Sequence, residues 1–125
     1  MFKTDDPRRC VGQPVGSGQC VALVRQEAGA PHTSQWRRGA RVRGHKIKPG
    51  TAIATFSDDT GQYENDTEGA SHAALYLSQS AEGIRVVDQW AGKRAGERLI
   101  GFRGGAGKKA DDGDQYFVVV TYAAP

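Results

Sequence analysis

The chain has 125 residues, 38% hydrophobic, 25% charged and 8% aromatic, with a formal net charge of +3. This is the balance of one folded domain spanning 1–125, and it excludes a disordered chain. No uninterrupted apolar run approaches the length of a bilayer span, so no membrane partner is expected. Charge is uneven: Arg37, Arg38, Arg41, Arg43, Lys46 and Lys48 come without an acidic residue, and Asp58, Asp59, Glu64, Asp66 and Glu68 follow without a basic one. Such runs are usually solvated loops, and a basic rim for a polyanion is the alternative. No aromatic-rich strand accompanies the basic run, so nucleic acid is not expected.

Residues 1–16 read as irregular, broken by Pro7, Gly12, Pro14 and Gly16. The polar start, Met1-Phe2-Lys3-Thr4-Asp5-Asp6-Pro7, lacks the apolar core of a signal peptide, so any export is expected to use another route. Residues 17–29 predict a helix with Ser17 as N-cap and Gly29 as stop, with Cys20, Leu23, Val24 and Glu27 on one side. Residues 33–39 predict a second, short helical turn capped by Thr33.

Beyond this the pattern changes to strands: 51–56 after the turn Pro49-Gly50, then 71–78 and 84–90 as a hairpin, a weaker strand at 98–102 and a closing strand at 115–122. Irregular loops are expected over 57–70 and 104–114. Helices first, strands later and no βαβ alternation predict an α+β fold with a mostly antiparallel sheet on the first helix.

Cys20 opens the predicted helix, where unpaired N–H groups and the positive end of the dipole favour a thiolate. His72 begins the apolar strand 71–78 and can serve as base to a nucleophile. In residues 84–90 the even positions share a face with apolar neighbours, which turns Asp88 inward, where a carboxylate needs a partner; His72 fits. A bulge would exchange Asp88 for Gln89, so Gln89 is the second candidate. Gln19 and the Cys20 N–H are candidate oxyanion donors. Tyr63, in the loop before His72, is a candidate lining residue. His32 and His45 read as surface residues.

The chain's two cysteines are too few for a disulfide scaffold. A Cys10–Cys20 bridge would close a flexible loop and silence both thiols. No zinc spacing, phosphate loop or serine elbow is present, and no metal or cofactor is expected.

Together these residues run Cys, His, then a polar orienter, with the nucleophile opening a helix. That order resembles the papain-like cysteine amidases and peptidases of the CHAP and NlpC/P60 type. Gly18-Gln19-Cys20-Val21-Ala22-Leu23-Val24 is similar to the helix start of CHAP domains. Thr33-x-x-Trp36-x-x-Gly39 looks like their second-helix element, and Pro49-Gly50-Thr51-Ala52-Ile53-Ala54 like their strand entry. Ser71-His72-Ala73-Ala74-Leu75-Tyr76 resembles the histidine strand. Ser71 replaces the usual Gly, and Thr51 the usual Asp.

The resemblance implies a papain-like fold, N-terminal helices on a sheet of about five to six strands. It implies amide hydrolysis through a thioester, with Cys20 as nucleophile, His72 as base and Asp88 as orienter. Proteins of this type commonly cut bacterial peptidoglycan, in the stem peptide or at the sugar–peptide amide. A small enzyme without a signal peptide would then resemble an effector, made in the cytoplasm and delivered to a target's periplasm or cell wall by contact-dependent secretion. A cognate inhibitor or immunity protein would be its partner at home. Two other functions fit the same residues: a catalytically silent papain-like binding module, and transglutaminase- or deamidase-type acyl transfer on a protein.

Overall fold

The computed structural model describes residues 1–65 and 69–121. Its elements are α1 (Cys20–Ala28), a 3₁₀ turn (Thr33–Gln35), β1 (Trp36–Arg41), β2 (Ala52–Thr55), β3 (Ala73–Gln79), β4 (Gly83–Trp90) and β5 (Lys93–Gly101). Two further 3₁₀ turns (Lys109–Asp111 and Gly113–Gln115) lead into β6 (Tyr116–Thr121). The fold is α+β, a six-stranded sheet in the order β1-β6-β2-β3-β4-β5 with every neighbouring pair antiparallel.

Period-two alternation divides the sheet into two apolar faces. Ala52, Ala54, Ala73, Leu75, Leu77 and Val87 pack with Leu23, Val24 and Ala28 of α1. Ile53, Ala74, Tyr76, Ile84, Val86, Ile100 and Tyr116 fill the other side. Strands buried on both faces read as nearly continuous apolar runs, which is why β2 and β3 do. The 3₁₀ turn before β6 closes against β5: a Cβ on Gly113 would stand 2.8 Å from the Ile100 carbonyl oxygen, so only glycine allows this approach. At the entry to β2 a Cβ on Gly50 would collide with the Thr4 carbonyl, and its φ is +91°.

Gly29 ends α1 in the left-handed region, its N–H bonded to the Arg25 carbonyl, as expected. Ser17 is not the cap. Gln19 occupies that position without a side-chain cap bond, and Ser17 instead accepts from the Gln19 N–H at 3.4 Å. Glu27 shares the predicted helix side with the core, and its carboxylate is anchored by Arg9 at 3.0 and 2.8 Å.

The stretch 33–39 is helical only over Thr33–Gln35, capped by His32, whose Nδ1 accepts from the Ser34 N–H at 3.1 Å. From Trp36 the chain is extended and pairs with β6. A capping residue and a glycine stop six residues apart do not distinguish a helical turn from a strand. The buried Trp36 indole is satisfied by the Pro31 carbonyl at 2.9 Å.

Part of the basic run is likewise strand rather than loop, with Arg37, Arg38 and Arg41 on β1. Arg38 and Arg41 lie over the Phe117 ring at 5.2 and 5.0 Å. Asp58, Asp59 and Glu64 are exposed loop residues. Asp66 and Glu68 lie outside the described residues, as does Tyr122 of the predicted last strand. The weak strand expected at 98–102 starts earlier, at Lys93, after the two-residue turn Ala91-Gly92. Cys10 and Cys20 are free thiols, so the bridge considered from their spacing is not formed.

Candidate active site

Cys20 is the first residue of α1. Its sulfur therefore stands among helical N–H groups that have no partner within the helix. The loop ahead of it is held by Gln89, which is fully buried on β4. The Gln89 carbonyl accepts from the Val15 N–H at 2.9 Å, and its amide donates to the Val15 and Gln19 carbonyls, both at 2.8 Å. Both amide hydrogens are thus committed to the backbone that delivers Cys20. Gln89, the second candidate for orienting His72, braces the loop that leads to Cys20 instead.

His72 sits just before β3, and its backbone is fixed by Thr55 on β2. The His72 N–H donates to Thr55 Oγ1 at 3.0 Å, and the Thr55 N–H to the His72 carbonyl at 3.0 Å. Its Nε2 meets Asp88 Oδ2 at 2.7 Å, which leaves Nδ1 for the other side of the ring. Cys20 and His72 line the same cleft, close enough for the charge of each to shift the titration of the other. The Trp90 ring lies edge-on to the imidazole at 6.1 Å.

Asp88 is completely buried. It sits on the β4 face shared by Ile84 and Val86, as the alternation predicts. Trp90 stays on that side, against His72, Lys93 and Arg98, with its indole exposed, although the pairing with β5 shifts between Asp88 and Trp90. Besides His72, Asp88 accepts from Arg98 Nε at 2.6 Å and Lys93 Nζ at 3.3 Å. Arg98 and Lys93 were not singled out from the sequence. A usable signal existed for Arg98: on β5 it shares parity with the buried Ile100, so it faces inward.

The Tyr63 hydroxyl stands 3.6 Å from the Cys20 sulfur, and the Tyr63 ring packs on Trp36 with centroids 5.0 Å apart. Gln19 is exposed beside Cys20. A cleft of about 430 Å³ opens over the group, lined in part by Gln19, Cys20, His72, Trp90, Arg98 and Lys108. His32 and His45 are exposed and lie outside it. No cluster of three or more His, Cys, Asp or Glu side chains suited to a metal occurs among the described residues.

The electrostatics couple the three groups. Burial pushes the Cys20 thiol up, but hydrogen bonding and charge from His72, the Tyr63 hydroxyl and the Ala73 backbone outweigh it, and the thiol titrates below its ordinary value. Burial alone would lower the His72 imidazole. Its bonds to Asp88 and Cys20 prevail and raise it to about 9. Asp88, which burial would raise, is held low by His72 and Arg98. The arrangement favours a thiolate–imidazolium pair backed by an ionised carboxylate, the state in which a cysteine attacks a carbonyl carbon.

The family model for domesticated amidase effector 2 matches residues 1–119. A type VI secretion amidase effector 2 protein of Salmonella typhi is 45% identical over 73 residues, 58% of this chain and 53% of that protein. Domesticated amidase effector 2 of Ixodes scapularis is 34% identical over 110 residues, 84% of this chain and 72% of that protein. This chain therefore spans about half the length of the Salmonella relative. A solved structure of type 6 secretion amidase effector 2 superposes with a TM-score of 0.82 at 31% identity, covering 98% of this chain and 96% of that one. By the extent of these matches, the chain belongs to the domesticated amidase effector 2 family.

Proposed function

We propose that this protein is a cysteine amidase that hydrolyses an amide bond of bacterial peptidoglycan. The observation that carries the reading is the buried Asp88–His72 bond beside Cys20, with His72 and Cys20 lining one open cleft and coupled electrostatically. The names of the relatives, amidase effectors of type VI secretion and their domesticated counterpart, support the same reaction class.

The Cys20 thiolate attacks the amide carbonyl, and the oxyanion that develops faces the Cys20 backbone N–H and Gln19. His72, protonated at Nδ1, gives that proton to the leaving nitrogen as the C–N bond breaks, which leaves a thioester on Cys20. Water then attacks the thioester and loses a proton to His72. Release of the carboxylic product restores thiolate and imidazolium. Asp88 fixes the ring orientation and balances the imidazolium charge throughout.

Delivery into the periplasm or wall of a target cell fits the relatives' association with type VI secretion, and a producing cell would then need an immunity protein. Mass spectrometry of sacculi treated with the wild type and with Cys20→Ala tests the proposal. New amine and carboxyl termini at a single type of amide are expected with the wild type only. Equal product from Cys20→Ala would overturn the cysteine mechanism.

A further inference from the structure

Among the described residues, the wall of the cleft carries more positive charge than its own carboxylates cancel. Asp88 is a single carboxylate facing both Arg98 Nε at 2.6 Å and Lys93 Nζ at 3.3 Å, in addition to His72. Arg98 reaches Asp88 through Nε alone. Its two terminal nitrogens make no hydrogen bond to the protein among the described residues. The guanidinium is nevertheless held in place, stacked on Trp90 with 5.1 Å to the ring centroid and 25% exposed on the cleft. Lys108 lines the same cleft. Its stem lies over Gly69, where a Cβ would stand 2.5 Å from the lysine Cδ, and its ammonium pairs with no carboxylate among the described residues. Asp111 shares the rim, its backbone N–H bonded to the Lys108 carbonyl at 3.0 Å, while its carboxylate pairs with neither cation.

We propose that Arg98 and Lys108 form an anion subsite that binds a substrate carboxylate beside the scissile amide. The inference rests on the amidase reading and deepens it by naming the substrate class, amides flanked by a free carboxylate. A guanidinium fixed by one bond and one stack loses little freedom on binding, and its terminal N–H groups match the geometry of a carboxylate. Lys108 adds a mobile second charge. Arg98 would thereby join two parts of the site, since the side chain that meets the substrate anion also holds the carboxylate that orients His72.

The test compares purified sacculi with the same sacculi after carbodiimide and ammonium treatment, which converts free carboxylates to carboxamides. Release of new amino groups is followed for the wild type and Lys108→Gln. A charge-assisted bond of ordinary strength predicts that the wild type loses about tenfold or more in kcat/KM on the carboxamide material. Lys108→Gln, whose side chain is bonded to none of Cys20, His72 or Asp88, should narrow that difference through KM. Digestion of both preparations at the same rate would overturn the subsite and leave the amidase reading standing. Digestion of neither would overturn both.

Discussion

Asp88 Oδ2 and His72 Nε2 are 2.7 Å apart, and that bond determines which face of the imidazole meets Cys20. With Nε2 committed to a buried carboxylate, Nδ1 is the nitrogen left for the proton transfer proposed with the sulfur. Replacing Asp88 by Asn keeps the shape but removes the charge that stabilises the imidazolium. Asp88→Asn is expected to lower activity by roughly 10²–10⁴-fold and to move the His72 titration, seen by NMR, down from about 9. An unchanged His72 titration would show that the carboxylate does not control the ring.

The pH profile follows from the same pair. The nucleophilic state needs a deprotonated sulfur and a protonated ring, and the two protons titrate as a coupled unit. Cys20 loses its proton below its ordinary value, and His72 keeps its own up to about 9. Activity should rise with pH below the ordinary thiol range, as Cys20 loses its proton, and fall as pH passes about 9. Iodoacetamide should label Cys20 faster than Cys10 at neutral pH, because burial and Glu27 push the Cys10 thiol up. Preferential labelling of Cys10 would contradict this arrangement.

Tyr63 contributes a hydroxyl to the thiolate at 3.6 Å. Tyr63→Phe keeps the ring packed on Trp36 and removes the hydroxyl's contact with the sulfur. The Cys20 thiol should then titrate higher, and its alkylation below neutral pH should slow by about two- to tenfold, in line with the modest worth of one long hydrogen bond. Circular dichroism should be unaffected.

Gln89→Ala strands the buried Val15 N–H and removes one of two bonds from each of the Val15 and Gln19 carbonyls, which keep the Gly18 and Ala22 N–H groups. Leaving that N–H unpaired should cost roughly 1–3 kcal/mol of stability. Urea denaturation measures the loss. Because the loop also delivers Cys20, kcat should fall even at temperatures where the variant stays folded. Wild-type stability with wild-type kcat would show that the brace is dispensable.

Stability itself should depend on pH through the same residues. His72 titrates above its ordinary 6.5 when folded, so its contribution is full below that value and is lost as pH rises through about 9. Asp88 is held below its ordinary 3.8, so its contribution is present above that value and is lost as pH falls through the lowered one. Cys20, held below its ordinary value, contributes in the opposite sense to His72 as pH rises, so the two shifts largely offset in the wild type. Asp88 carries the net dependence: the melting temperature should fall as pH drops below 3.8, and Asp88→Asn should flatten that fall.

Cys20, His72 and Asp88 were legible because each broke a local pattern: a thiol opening a helix, an imidazole and a carboxylate on apolar strands. The sheet was legible for a related reason, since period-two alternation and glycine turns mark strands within a few residues of their ends. Short windows were not decisive at 33–39, where a capping threonine precedes what proves to be β1. Gln89 was ambiguous because a bulge would have exchanged it with Asp88; alternation holds through Asp88 and the register shift falls after it, a property of strand pairing rather than of the strand. Arg98 and Lys93 went unnoticed because exposed-looking cations on a weak strand reveal their partner only once β5 lies beside β4.

The sheet's border at β1 has a consequence for how copies of this protein meet. An unpaired strand offers a row of backbone donors and acceptors to any neighbour, and aggregation often begins there. Here Arg37, Arg38 and Arg41 occupy that border. Two molecules approaching edge to edge would crowd guanidinium groups of like charge, so the residues that look like a polyanion site also keep concentrated protein from stacking into fibres.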